Sequence, residues 1–176
     1  MEDTRKEAKD LICDIIAAAG GKIDGNLRLY KVFYRAHLNY WESEAGVLTD
    51  HPIVKMNEGP GIDKGEDILE ELKRDGIIRI SDKPTGPYME YVFELAGNRE
   101  LPKDGGRFKA IQEALDWVRG KTTTALSRES KKIAWNRAKN LGDEMDIYFD
   151  TLSQEEYKKI QETSRAVGEI IDAAFS

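Results

Sequence analysis

The chain has 176 residues, of which 34% are charged, and carries 27 Lys+Arg against 33 Asp+Glu for a net charge of −6. That length suits one domain, or one domain with an appended part, able to bury about 70% of its extended surface without covalent staples. The acidic balance argues against general adhesion to nucleic acid or anionic lipid. The single cysteine, Cys13, excludes an internal disulfide, and no apolar run approaches the ~20 residues of a membrane span.

The opening MEDTRKEAKD is rich in acids and lacks an apolar signal core, so the expected setting is cytoplasmic. The spacing of Ala8, Leu11, Ile12, Ile15, Ile16 and Ala19 predicts a helix over residues 4–19. Thr4 and Glu7 form a capping box for it, and Gly20 and Gly21 end it. A polar turn follows. From Asn26 a second helix starts, with Leu27, Tyr30, Phe33, Tyr34, His37, Leu38 and Trp41 on one face. Arg28, Lys31, Arg35, Asn39 and Glu42 fall opposite them and are expected to form a solvated stripe. So many rings on one helix make it the expected hub of the core, with one or two of them surfacing as partner anchors.

Pro52 opens a short strand, Ile53 to Met56, and NEGPG (57–61) reads as a corner. An acidic helix then runs from Ile62 or Asp63 to just before Gly76, with Ile68, Leu69 and Leu72 as its narrow apolar edge. Ile77 to Ile80 is a strand, SDKPTGP (81–87) a turn, and Tyr88 to Leu95 a hairpin strand. In that strand Met89, Tyr91, Phe93 and Leu95 are expected to face inward. The order helix, helix, helix, strand, hairpin strand is that of a winged helix. The polar stretch 98–106 divides this winged-helix-like part, 1–97, from C-terminal helices over 106–176. Phe108, Ile111, Leu115 and Val118 give the first of these a face. A second, capped by Thr123 or Thr124, is expected to run past Trp135 toward Leu141. A third starts at a Ser153–Glu156 capping box and carries Tyr157, Ile160, Val167, Ile170, Ile171 and Ala174 inward. The fold expected is therefore α+β, mostly helical, with a small antiparallel sheet.

No constellation for chemistry emerges. Gly120-Lys121-Thr122 resembles the end of a phosphate loop, but Leu115 stands where the motif needs its first glycine, and a helix precedes it instead of a strand. His37 on an aromatic face reads as a core histidine, and His51 before Pro52 as exposed. Cys13 lies in a helix beside the buried stripe and reads as inert. Asp143, Glu144, Asp146 and Asp150 lack the glycine and alternation of a calcium loop and read as a solvated patch. No catalytic residue, metal site or cofactor is expected. DNA binding is disfavoured, because the helix that would enter the groove carries Asp63, Glu66, Asp67, Glu70, Glu71 and Asp75 against Lys64, Lys73 and Arg74.

An ordered set of segments resembles the Panacea, or SocA-like, family. LRLYKVFYRAHLNYW (27–41) is similar to its Leu-Tyr-Lys helix; Leu48-Thr49, a strand, Gly59-Pro60 and the ILEEL-K-DGII helix and strand follow in its order. LDWV (115–118), Ala125-Leu126-Ser127 and Ala134-Trp135 are similar to its C-terminal part. Asn57-Glu58 and Gly61-Ile62 depart from the family's usual corner, and its C-terminal His is missing. The family is associated with bacterial and phage toxin–antitoxin operons. The resemblance implies a non-enzymatic protein that neutralises a cognate toxin by direct binding, in some members as an adaptor to a protease. The expected partner surface comprises Tyr30, Tyr34, His37, Trp41, Gly59, Pro60, Glu66 and Glu70. The alternative is a winged-helix transcriptional regulator.

Overall fold

The computed structural model describes residues 2–44, 46–103 and 105–174. Its elements are α1 (Glu2–Ala18), β1 (Lys22–Asp24), α2 (Asn26–Glu44), β2 (Ile53–Met56), β3 (Gly59–Ile62), α3 (Gly65–Arg74), β4 (Ile78–Thr85) and β5 (Tyr88–Leu95). Beyond them come α4 (Gly106–Val118), α5 (Thr123–Ser130), α6 (Ile133–Arg137), a 3-10 turn (Ile147–Thr151) and α7 (Gln154–Ala174). The protein is α+β and mostly helical. Strands β1, β5 and β4 form an antiparallel sheet in that spatial order, and β2 and β3 form a separate hairpin. The succession α1, β1, α2, α3, β4, β5 is that of a winged helix, with the β2–β3 hairpin inserted between its second and third helices.

Helix α2 is the hub, but it has no solvated stripe. Ten residues between Leu29 and Asn39 are buried, so the helix is enclosed on nearly every side by α1, α4, β3, α5 and the 3-10 turn. Lys31 and Asn39, expected in water, lie in the interior. Each is tolerated because its nitrogen finds a carbonyl: Lys31 Nζ donates to Pro60 O at 2.7 Å, and Asn39 Nδ2 to Ala110 O at 3.1 Å. Burial also pulls the Lys31 ammonium down to about 7. Arg28 donates from its Nη1 to Val118 O at 2.8 Å, which fastens α2 to the carbonyl end of α4.

Several local expectations are corrected. Helix α1 begins at Glu2, so Thr4 and Glu7 lie within it, and the Glu7 carboxylate accepts from the Asp50 amide instead. Residues 22–24, read as a turn, form β1, which pairs Ile23 with Phe93. The corner at Gly59 is a strand: β3 pairs with β2 from Met56–Gly59 to Ile53–Ile62. Gly59 has φ +99°, and a Cβ there would come within 2.5 Å of Ser130 Oγ and 3.0 Å of Lys31 Nζ, so only glycine fits. The acidic helix starts at Gly65, after Lys64 in a left-handed conformation.

The hairpin β4–β5 reaches well past the core. Phe93 and Val92 are buried where β5 runs beside β1, whereas Met89 and Tyr91, expected inward, are 63% and 52% exposed. The predicted helix from Thr124 to Leu141 is broken into α5 and α6 at Lys131–Lys132. Thr122 rather than Thr123 or Thr124 caps α5, accepting from the Ala125 amide. The Ser153–Glu156 capping box forms: the Ser153 amide donates to Glu156 Oε2 at 2.8 Å, and the Glu156 amide to Ser153 Oγ at 3.2 Å. Helix α7 itself is not buried. Ile160, Val167 and Ile170 are 43%, 50% and 69% exposed. The side chains of Ile171 and Ala174, also expected inward, lie outside the described residues.

Candidate functional site

The eight candidate residues do not form one surface. Tyr30, Tyr34, His37, Gly59 and Pro60 are buried, because the middle of α2 is covered on nearly every side and the β2–β3 hairpin is folded against it. The Tyr34 hydroxyl donates to Asp150 Oδ2 at 2.7 Å, and Asp150 Oδ1 also accepts from the Ala134 amide at 2.8 Å. Asp150, expected on a solvated patch, is thus a buried junction between α2 and α6. Burial raises its carboxyl pKa, and the two hydrogen bonds pull it back. Trp41 stays partly exposed, its ring 4.3 Å from that of Tyr148.

Glu66 and Glu70 are the two candidates that share an open feature. Helix α3 is amphipathic: Ile68, Leu69 and Leu72 are buried, while the acids face outward. On one flank Glu71 is tied to α1 by Arg5 at 2.7 Å and Lys9 at 2.8 Å. On the other flank Glu66 and Glu70 border a groove with Asn26, Leu69, Ile80, Tyr91 and Phe93. Glu70 meets only the exposed Lys73, and Glu66 has no ion pair among the described residues. The α3 N-terminus lies close to α2, since a Cβ on Gly65 would come within 2.6 Å of the Tyr30 hydroxyl. That hydroxyl has no hydrogen-bond partner among the described residues. Burial first, then the nearby Glu66 charge, pushes Tyr30 up to about 12.

A larger cavity, about 550 Å3, lies beside the other end of α2. His37, Thr49, His51 and Tyr148 line it, with Asp50, Glu144 and Asp146 exposed on its border. His51, expected in solvent, is buried. Each imidazole is engaged by a backbone carbonyl: His37 Nδ1 lies 2.8 Å from Phe33 O, and His51 Nε2 lies 2.8 Å from Asp63 O. Burial pulls His37 down to about 4, so it is neutral at physiological pH. Among the described residues neither ring hydrogen-bonds to a carboxylate.

Cys13 is buried and its thiol is pushed up to about 11 by desolvation, which keeps it protonated. Lys121 pairs with Glu129 and sits over the Trp117 ring, between α4 and the cap of α5. Among the described residues no group of three or more His, Cys, Asp or Glu is placed to hold a metal ion. No helix among them is long and apolar enough to cross a membrane.

Sequence reasoning missed Asn26 and Tyr91 in the groove and the exposure of Tyr88 and Met89 farther along the hairpin. Asn26 reads as a helix cap, and the alternation in β5 gives two faces without saying where the core stops. No family model, curated relative or solved structure matches the chain.

Proposed function

We propose that this is a non-enzymatic protein-binding domain that acts in the cytoplasm as an antitoxin does, by covering a basic partner. One observation carries the reading: Glu66 and Glu70 border one groove with the half-exposed ring of Tyr91, on the hairpin strand that also carries the exposed Met89. Aromatic and methionine side chains supply binding energy at interfaces, while an acidic border speeds encounter with a basic surface and rejects acidic partners. The resemblance to Panacea-type antitoxins supports the same reading, and some of those act as protease adaptors.

A second reading, a DNA-binding regulator, draws on the winged-helix order. In that architecture the third helix enters the major groove. Here its counterpart, α3, presents Glu66, Asp67 and Glu70 outward, which repel phosphate. Co-expression with the product of an adjacent toxin-like gene tests the first reading. A stable complex and rescue of growth are expected, and both should be lost in Glu66→Lys/Glu70→Lys. A salt-sensitive shift of the chain's own promoter, without any protein complex, would favour the regulator instead.

A further inference from the structure

We infer that the groove between α3 and the β4–β5 hairpin is a socket for one cationic side chain, arginine or lysine, of a protein partner. The inference rests on the protein-binding reading and names the chemistry of the contact. The groove encloses about 170 Å3. That is below the ~300–1,000 Å3 of small-molecule and cofactor sites and is on the scale of a single large side chain. Its floor is apolar, from Leu69, Ile80 and Phe93, and suits the methylene stem of a long side chain.

Every polar group that lines it can accept. Glu66 and Glu70 bring carboxylates, and Glu66 has no cation of its own among the described residues. Asn26 brings an Oδ1 that is shut off from solvent and has no hydrogen-bond partner. One turn along the same side of α2, next to Glu66, the hydroxyl of the 7% exposed Tyr30 also has none. Buried polar atoms in folded proteins are nearly always satisfied, so the orphan Asn26 oxygen of the lining and the uncompensated Glu66 carboxylate leave acceptor capacity unused at this edge of α3. Tyr91, half exposed at the border, adds a ring against which a guanidinium or ammonium is attracted. Guanidinium and ammonium groups donate and do not accept, and so complement this lining, whereas an anion or an apolar chain does not. The partner's backbone would lie across α3 and the hairpin, whose residues border the groove.

The probe is N-acetyl-arginine methylamide, with the neutral isostere N-acetyl-citrulline methylamide as control. Binding is read from amide chemical shifts of the full chain. Saturable shifts are expected at Asn26, Glu66, Glu70 and Tyr91 with arginine and not with citrulline. Glu66→Gln/Glu70→Gln should weaken arginine binding at least about tenfold, the scale of one charge-assisted hydrogen bond. Glu71→Gln, on the flank tied to α1, should leave it unchanged. Equal shifts with citrulline, shifts confined to other residues, or no shifts up to high millimolar probe would overturn the socket. The two claims fail separately. A partner held equally well by wild type and by Glu66→Gln/Glu70→Gln removes the socket but keeps the protein-binding reading. Arginine binding with no protein partner at all does the reverse.

Discussion

Helices α2 and α7 are of similar length, and both have apolar residues at helical spacing, yet they end in opposite environments. Over its middle turns α2 is enclosed nearly all round, to the point that a lysine and an asparagine are drawn in with the rings. Helix α7 keeps Ile160, Val167 and Ile170 in water. Periodicity reports that a helix has a face to bury; it does not report whether anything covers that face. What separates the two is position. Helix α2 lies between the sheet and the C-terminal helices, so packing arrives from both sides, whereas α7 follows the last element that touches the core.

The largest test of that contrast is Phe33→Ala, which opens a cavity in the most crowded part of α2 and should cost about 3–5 kcal/mol in urea unfolding. A loss under 1 kcal/mol would show that the α2 environment is loosely packed. Asp150→Ala comes next. It leaves the Tyr34 hydroxyl and the Ala134 amide without an acceptor in the interior, and about 1–3 kcal/mol should be lost for each group stranded. Asp150→Asn, which keeps an acceptor oxygen, should recover part of the loss.

Lys31 sharpens the comparison through pH. The folded chain releases its ammonium proton at about 7, while the unfolded chain holds it to about 10.5. Between those values the unfolded state binds more protons, so this group makes stability rise with pH; below 7 both states are charged and the cost of burial is full. In Lys31→Met this rise should be absent from urea midpoints taken at pH 6.5, 8 and 9.5. Parallel profiles for wild type and variant would mean that Lys31 keeps its charge in the fold. The smallest effect is expected at Val167→Ala, within about 0.5 kcal/mol. A larger cost there, especially one that depends on protein concentration, would mean that α7 is covered in solution.

What could be read directly from the sequence was what is local. The apolar spacing of α1, the aromatic load of α2, the hairpin and the Ser153–Glu156 box each depend on residues a few positions apart. Lys31, Asn39 and Asp150 could not be placed, because their partners Pro60, Ala110 and Ala134 arrive from distant elements and override the preference of polar groups for water. Strand β1 is three residues long and is held by β5, about 70 positions later along the chain. The groove failed for the same reason. Asn26, Glu66 and Tyr91 come from three elements, and of these only the acids announce themselves in composition.

The enclosure of α2 bears on how the chain can be divided. Residues 98–106 have the polar, glycine-containing character of a linker, yet α2 rests on α1 and β1 from one side of that stretch and on α4 and α5 from the other. A protease that cuts there should leave two pieces that stay together and elute as one species. The first piece alone would strip Arg28, Tyr34 and Asn39 of Val118, Asp150 and Ala110, their hydrogen-bond partners in the second. Any exchange of segments between related chains would therefore have to carry both halves, because the helix at the centre is completed only when they are present together.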